Sequence, residues 1–476
     1  MPAPPITKFG SGISRKGADA PFFYFIRLNE TMTKTAAPQA VTLAEAFSYW
    51  FKLGFISFGG PAGQIAMMHT ELVERRRWIS EQRFLHALNY CMVLPGPEAT
   101  QLAIYIGWLM HRTWGGIIAG ALFVLPSLAM LILLSWIYLA FGNIPAVAGV
   151  LYGIKPAVVA IVLAAAWRIG NRSLKNGWLI AIAVAALLAI SVLKLPFPAI
   201  LLVAALSGVV GGRLLPAKFQ LGGGHGAGQV RSYGPAIIDD ATPPPPHARF
   251  RWSRLALVLA TGIGMGTAAW SALALLYGMA SPLPQMAWFF TKAAMLTFGG
   301  AYAVLPYVYQ GAVETFHWLT GPQMIDGLAL GETTPGPLIM IVAFVGFVGG
   351  WTKALFGPDH LLLAGAIAAS VTTFFTFLPS FIFILAGSPL VESTRGNIHL
   401  TAPLTAISAA VVGVIISLAL FFAWHVFRLD APPAQWDWTA VAISALACLA
   451  LFRYKAGTIK LIIACALAGL VVSYSA

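Results

Sequence analysis

Apolar residues come in long blocks along this chain, most of them near the roughly 20 residues that a helix needs to cross a bilayer. In the first half they fall at 44–67, 84–110, 114–141, 145–168, 177–193 and 196–212. An extra block at 253–280 precedes six more, at 285–309, 324–350, 360–387, 401–427, 436–452 and 457–475. Within the second block, Leu94-Pro95-Gly96-Pro97-Glu98-Ala99-Thr100-Gln101 interrupts what would otherwise be one helix. A proline removes a helical hydrogen bond and clashes with the preceding turn, and the adjacent glycine lets the chain leave helical geometry. The pattern therefore predicts that one helix ends and another begins there.

The same punctuation returns 240 residues later, at Thr334-Pro335-Gly336-Pro337. Lys52 and Lys292, Phe58-Gly59-Gly60 and Phe298-Gly299-Gly300, and Trp78 and Trp318 share that offset, so the chain carries an internal duplication. Pro61 in the first copy is replaced by Ala301 in the second, which predicts a softer first break there. Irregular backbone inside a bilayer is tolerated where it is buried in protein or lines a wet cavity, and matched breaks in two halves point to a transporter's binding site.

Composition fixes the class. Of 476 residues, 59% are hydrophobic and 9% charged, and the mean hydropathy is +0.80, values outside the soluble range. The reading is an all-α polytopic membrane protein of two inverted-topology helical repeats with broken or re-entrant helices and about 13 membrane segments. The net charge of +13 sits in short loops, as the positive-inside rule requires, and excludes nucleic acid as the partner. Cys91, Cys448 and Cys465 lie in apolar blocks without ligand or disulfide spacing, and the histidines are scattered, so no metal and no cofactor is expected. Paired histidines, an aspartate cluster and a nucleophile elbow are all missing from the blocks, which argues against an enzyme.

The expected organisation is a disordered tail at 1–40, a first repeat at 41–213, a Gly/Pro-rich cytoplasmic linker at 214–251, a connecting helix at 252–284 and an inverted second repeat at 285–476. Met32 offers an alternative start of translation. Corresponding blocks are seven segments apart, an odd number, so the second copy enters from the opposite side. With every block crossing, 19 basic residues lie inside and 7 outside; with Arg75, Arg76, Arg77 and Arg83 moved inside, as re-entrant hairpins require, the count is 23 and 3, and the bias mildly favours the hairpins. Arg168, Arg172 and Lys175 count among the inside loop charges. This puts the N-terminus in the cytoplasm and the C-terminus in the periplasm.

Helices restarting after Gly60, Pro97, Gly300 and Pro337 would present free N–H groups and partial positive charge to an anion, against the alternative of kinks that merely allow close packing. The candidate substrate set is Lys52, Gly59, Gly60, Gln64, Pro95, Gly96, Pro97, Thr100, Gln101, Lys292, Gly299, Gly300, Thr334, Pro335, Gly336 and Pro337. Lys52 and Lys292 would match the charge of a dianion, or snorkel to an interface. Glu98 and Glu332 could carry a coupling proton or pair with a lysine. Arg75, Arg76 and Arg77 could gather anions at a cytoplasmic entrance, or serve as topology determinants. Lys155, before Pro156, has no repeat counterpart and reads as structural.

Phe58-Gly59-Gly60-Pro61, Arg75-Arg76-Arg77-Trp78-Ile79, the Leu94–Gln101 stretch and Phe123-Val124-Leu125-Pro126-Ser127, with the second-half Phe-Gly-Gly and Thr-Pro-Gly-Pro, together resemble the chromate transporter family in its long two-domain form. The resemblance covers about residues 41–475. It implies export of chromate across the bacterial inner membrane and chromate resistance, with sulfate or another oxyanion as the alternative substrate. The partners expected are that oxyanion and the lipid bilayer, with a homo-oligomer left open.

Overall fold

The computed structural model describes residues 39–58, 60–142, 144–219, 233–240, 242–243, 245–298, 300–393, 401–429 and 435–475. The expected tail up to residue 38, Met32 included, lies outside them, as do Gly59 and Gly299. Among the described residues, seven helices are long and apolar enough to cross a membrane, and Gly177–Ser191, Leu338–Thr352 and Trp438–Phe452 are shorter apolar helices.

The first repeat opens with α1 (Leu43–Ile56), capped by the Thr42 hydroxyl, and after a break continues as α2 (Gly60–His69) and a π turn at Thr70–Arg75. Arg76, just beyond, pairs with Glu45 in the first turn of α1 at 3.7 Å and lies over the rings of Tyr49 and Trp78. The chain has thus returned to the level where it started. α3 (Glu81–Val93) and the first arm of α4 (Glu98–Phe141) repeat the manoeuvre. Tyr105 near the end of that arm donates to Glu392 at 2.5 Å, and Glu392 also approaches Arg83 at the start of α3. The expected block 84–110 is therefore two arms of a hairpin, because the Pro-Gly-Pro break reverses the chain where a proline kink would only bend it.

α4 turns again at His111 and Arg112, whose backbones leave helical geometry. Its second arm, 113–141, crosses to the far end. α5 (Pro145–Ser173) returns, α6 (Gly177–Ser191) crosses and α7 (Phe197–Leu214) comes back. Glycine lets the arms of α4 touch: a Cβ on Gly107 would meet Ala119 at 2.6 Å. α8 (Trp252–Tyr277) then crosses with 6% of its apolar window buried, as a lipid-facing connector.

The second repeat starts from the far end with α9 (Pro282–Met295), α10 (Ala301–Tyr309), a π turn at Gln310–Thr315 and α11 (Gly321–Thr333). A 3-10 turn at Leu338–Met340 leads into α12 (Ile341–Thr352). α13 (Leu361–Ser393), α14 (Thr401–Phe427), a two-residue ribbon of β1 (Arg428–Leu429) and β2 (Gln435–Trp436), α15 (Trp438–Phe452) and α16 (Thr458–Ser475) complete it. The π turns and the pair α3 and α11 keep the 240-residue offset throughout. Trp78 N–H donates to Leu72 O at 2.7 Å and Trp318 N–H to Ala312 O at 2.8 Å, the same contact in each copy. Ala301 does not soften its break: Gly300, at φ +100°, turns the chain without the proline.

Each set of hairpins has its own apolar core. One gathers Trp50, Trp78, Phe84 and Tyr105, the other Phe290, Trp318, Phe344 and Phe347 together with α5 and α14. The described part of the linker is packed rather than loose. Ile237 and Ile238 donate to Arg77 O and Trp78 O at 3.0 and 3.1 Å, and Ser80 N–H donates to Ile238 O at 3.0 Å. Arg83 donates to Thr242 O, and His247 bonds Trp108 O at 3.0 Å. The strap ties together the open ends of both first-repeat hairpins.

Candidate functional site

Four hairpin tips meet at the centre. Gly96 N–H donates to Thr297 O at 2.7 Å, and Gly336 N–H donates to Ser57 O at 2.9 Å. Residues 57 and 297, like 96 and 336, are 240 apart, so these two bonds are one bond made twice: each Pro-Gly-Pro tip holds the Phe-Gly-Gly tip of the other repeat. Both glycines need the left-handed region, with φ of +123° and +108°. A Cβ on Gly96 would lie 2.5 Å from Ser380 Oγ, and one on Gly336 2.7 Å from Ser127 Cβ. The sequence spaces the tips correctly and leaves their cross-connection unseen, since the partner of each lies across the duplication.

Side chains then secure the crossing. Gln64 Nε2 donates to Ser57 O at 3.0 Å and to Gly336 O at 2.5 Å, stapling two tips. Gln101 Nε2 donates to Pro95 O at 2.7 Å and to Ser380 Oγ at 3.4 Å. Both amide donors are thereby spent on the protein, so these two residues position the tips. Thr334 likewise spends its hydroxyl on Gly331 O at 3.0 Å.

What remains available is different. The hydroxyls of Ser57, Thr100 and Ser127 are buried without a hydrogen-bond partner, an arrangement that costs free energy unless a ligand or water completes it. The helix starts behind Pro97, Gly300 and Pro337 have no side-chain cap. Thr42, Ser80, Asn176, Thr320 and Asp437 cap α1, α3, α6, α11 and α15, while α5, α7, α8 and α9 also start without a side-chain cap. Three helix N-termini without side-chain caps and three orphan hydroxyls gather donors suited to an anion, with the unpartnered amide oxygens of Gln64 and Gln101 beside them. Ser57 and Ser127 were not singled out as candidates from the sequence. The signal for Ser127 is Leu125-Pro126-Ser127, which recurs as Leu378-Pro379-Ser380 at an offset of 253 and so escapes a search at 240.

Other expected residues lie elsewhere. Lys52 is exposed on α1 beside exposed Phe51, Phe55 and Ile56. Lys292 is exposed on α9, with Nζ 5.6 Å from the ring centroid of Trp288. The structure does not bring either lysine to the tips, and their apolar surroundings fit snorkelling. Arg75 pairs with Glu71 at 3.3 Å and Arg76 at 2.9 Å, which holds the Glu71 carboxyl below its ordinary range, with the Arg76 hydrogen bond the main cause. Arg77 donates to Pro235 O at 3.4 Å. Arg75 stays largely exposed while its neighbours brace the hairpin base. Glu98 follows the first Pro-Gly-Pro break, and Glu332 precedes the second and accepts from Tyr302.

A buried acid also went unseen. Asp326 on α11 accepts from Tyr138 at 2.9 Å and pairs with Lys155 of α5 at 3.2 Å. Lys155 is structural in that it joins α5 to a second-repeat hairpin.

Broken helices at matched places in the two halves, with the breaks interlocked at the centre, define the architecture of a membrane transporter. The chain belongs to the chromate transporter family, whose model, described as Chromate transporter, matches residues 44–210 and 284–470. It is 32% identical over 440 residues to a chromate transport protein of Pseudomonas aeruginosa, covering 92% of this chain and 94% of that one. A chromate transport protein of Cupriavidus metallidurans is 30% identical over 402 residues, covering 84% and 88%. The uncharacterized transporter YwrA of Bacillus subtilis is 31% identical over 172 residues, 36% of this chain and 96% of its own length. No solved structure matches the chain.

Proposed function

We propose that this protein exports chromate across the bacterial inner membrane, with its N-terminus in the cytoplasm and its C-terminus outside, and that the ion passes the centre where the four tips cross. The observation that carries the reading is the set of orphan donors there: the hydroxyls of Ser57, Thr100 and Ser127 beside three uncapped helix starts. The names of the relatives supply the ion. Sulfate has the same shape and charge and is the second reading; donor geometry alone does not separate the two.

Direction follows from energetics. One charge moving through 100 mV is worth about 2.3 kcal/mol, so an inside-negative potential of that size favours exit of a dianion by about 4.6 kcal/mol. A uniporter suffices. Glu98 and Glu332 flank the breaks and are the groups through which a proton would couple. Liposomes containing only this protein, at symmetric pH with a potassium and valinomycin potential, test both points. Chromate efflux that follows the potential and persists in the Glu98→Gln, Glu332→Gln double variant is expected. A strict need for a pH difference, lost in that variant, would replace uniport by proton coupling. Sulfate flux without chromate flux would reassign the substrate, and conversion of the anion without flux would make the protein an enzyme.

A further inference from the structure

The crossing is closed from both ends, since Ser57, Thr100 and Ser127 are fully buried. Two helices lead away from it. On the second arm of α4, Ser127 abuts the tip at Gly336, and on α13, Ser380 abuts the tip at Gly96. Just over two turns beyond each stands another serine, Ser135 and Ser388, and these keep the offset of 253 that relates the first pair. That stretch of helix rises about 12 Å. The second arm of α4 runs to the far end, whereas α13 runs to the end that holds Arg83, so Ser135 lies on one side of the crossing and Ser388 on the other.

Both serines are fully buried, and neither hydroxyl has a hydrogen-bond partner among the described residues. A hydroxyl inside a helix can give its proton to a carbonyl one turn back. Thr372, Thr373 and Thr376 of α13 do so, at 2.9, 2.8 and 2.6 Å. Ser135 and Ser388 do not, and the exception falls at the same place in both repeats. A buried polar group left alone costs free energy unless a ligand or water completes it.

One turn further on, each helix meets a tyrosine, a buried carboxylate and a cation. Tyr138, beyond Ser135, donates to Asp326, which pairs with Lys155. Glu392, beyond Ser388, accepts from Tyr105 at 2.5 Å and approaches Arg83 at 3.9 Å. At spacings of three and four residues, serine and triad share a helix face. Each triad fastens a Pro-Gly-Pro hairpin to a helix of the other repeat and brings one cation to the stretch beyond the serine.

We infer that Ser135 and Ser388 are two further binding sites for a divalent tetrahedral oxyanion, one on each side of the crossing, with Lys155 and Arg83 supplying positive potential. This rests on the transport reading and extends it. An ion held in turn at Ser388, the crossing and Ser135 advances in steps of about 12 Å, and a passage of several weak sites lets an ion enter and still leave. Asp326 and Glu392 share the two cations, which keeps either site from trapping the dianion.

Chromate uptake by inside-out and right-side-out membrane vesicles, each with a potassium and valinomycin potential positive inside, tests the sites. The first presents the cytoplasmic face and the second the outer face. Ser388→Ala is expected to raise KM about tenfold from the cytoplasmic face and to leave it within about twofold from the outer face, as loss of one hydrogen bond to a charged group on one side of the crossing requires. Ser135→Ala should do the reverse. Removing an unpartnered hydroxyl should leave the melting temperature unchanged or higher. Wild-type KM on both faces in both variants would assign the hydroxyls to buried water and overturn the sites with transport intact. Equal shifts on both faces would overturn their placement on opposite sides. A variant that fails to insert, or melts lower, would mean that its hydroxyl is bonded within the protein, which also sinks the site. Absence of oxyanion flux in the wild type overturns the transport reading instead.

Discussion

Where the first repeat carries Gln64, Thr100 and Gln101, the second carries Val304, Met340 and Ile341, all buried. Glu98 likewise answers to Leu338, and the basic Arg75-Arg76-Arg77 to Thr315-Phe316-His317. Yet the backbones do the same thing: each Pro-Gly-Pro tip turns through a left-handed glycine and donates to the opposite Phe-Gly-Gly tip. Duplication has kept the main-chain geometry and released the side chains. The crossing needs both copies to exist, whereas the orphan hydroxyls at it all come from the first repeat, with Ser127 reaching across to the second-repeat tip at Gly336.

The equivalence of the tips is the part most easily broken. Gly96→Ala and Gly336→Ala should each reduce chromate flux at least about a hundredfold, since each adds about 1 to 3 kcal/mol of backbone strain and about as much again from the clash. Proteoliposome flux normalised to inserted protein is the measurement. Near-normal flux in one variant and loss in the other would show that the two halves do not share the crossing equally.

Next comes the bond between the halves. Lys155→Met leaves Asp326 buried and charged, which should cost about 3 kcal/mol, the low end for a buried pair because Lys155 keeps some exposure. Thermal unfolding in detergent should show it, and the double variant with Asp326→Leu should recover most of the loss. No recovery would mean that Lys155 acts through something other than this pair.

The asymmetry in lining is sharpened by a nearly isosteric pair. Thr100→Val removes a hydroxyl that has no protein partner, so stability should hold or rise while KM for chromate rises about tenfold. Met340→Leu, at the repeat-equivalent place, should leave KM alone. Equal effects would place the ligand symmetrically between the repeats. The smallest change is expected from Lys52→Met and Lys292→Met, with flux within about twofold of the parent, because a snorkelling lysine does not meet the substrate. Abolished flux in either would return the lysines to the binding site.

Sequence pattern carried the fold far because the strongest constraints in a bilayer are local. Block length, Pro-Gly-Pro punctuation and the 240-residue offset read out broken helices without reference to tertiary contacts. The hairpin reversal at Leu94–Pro97 was harder: an apolar block of the length of 84–110 is the same whether its arms continue or fold back, and only charge placement hinted at the answer. At the site, glycines and prolines were legible because their backbone preferences are intrinsic. Side chains were not. The sequence does not show that the Gln64 and Gln101 amides donate to protein acceptors at the tips, nor which face of α1 meets the core and so where Lys52 points.

The strap at 235–247 bears on the order in which the molecule is made. Its hydrogen bonds to residues 77–83 and to Trp108 bridge well over a hundred residues of chain, and the ends of the first two hairpins stay untied until that stretch has been synthesised. By then the crossings of α4 to α7 must already be in place. The first repeat should consequently pass through an insertion intermediate in which Ile79 and Arg83 are accessible, protected only when residue 242 emerges, and nascent chains truncated on either side of that point should differ sharply in protease resistance at Arg75–Arg77.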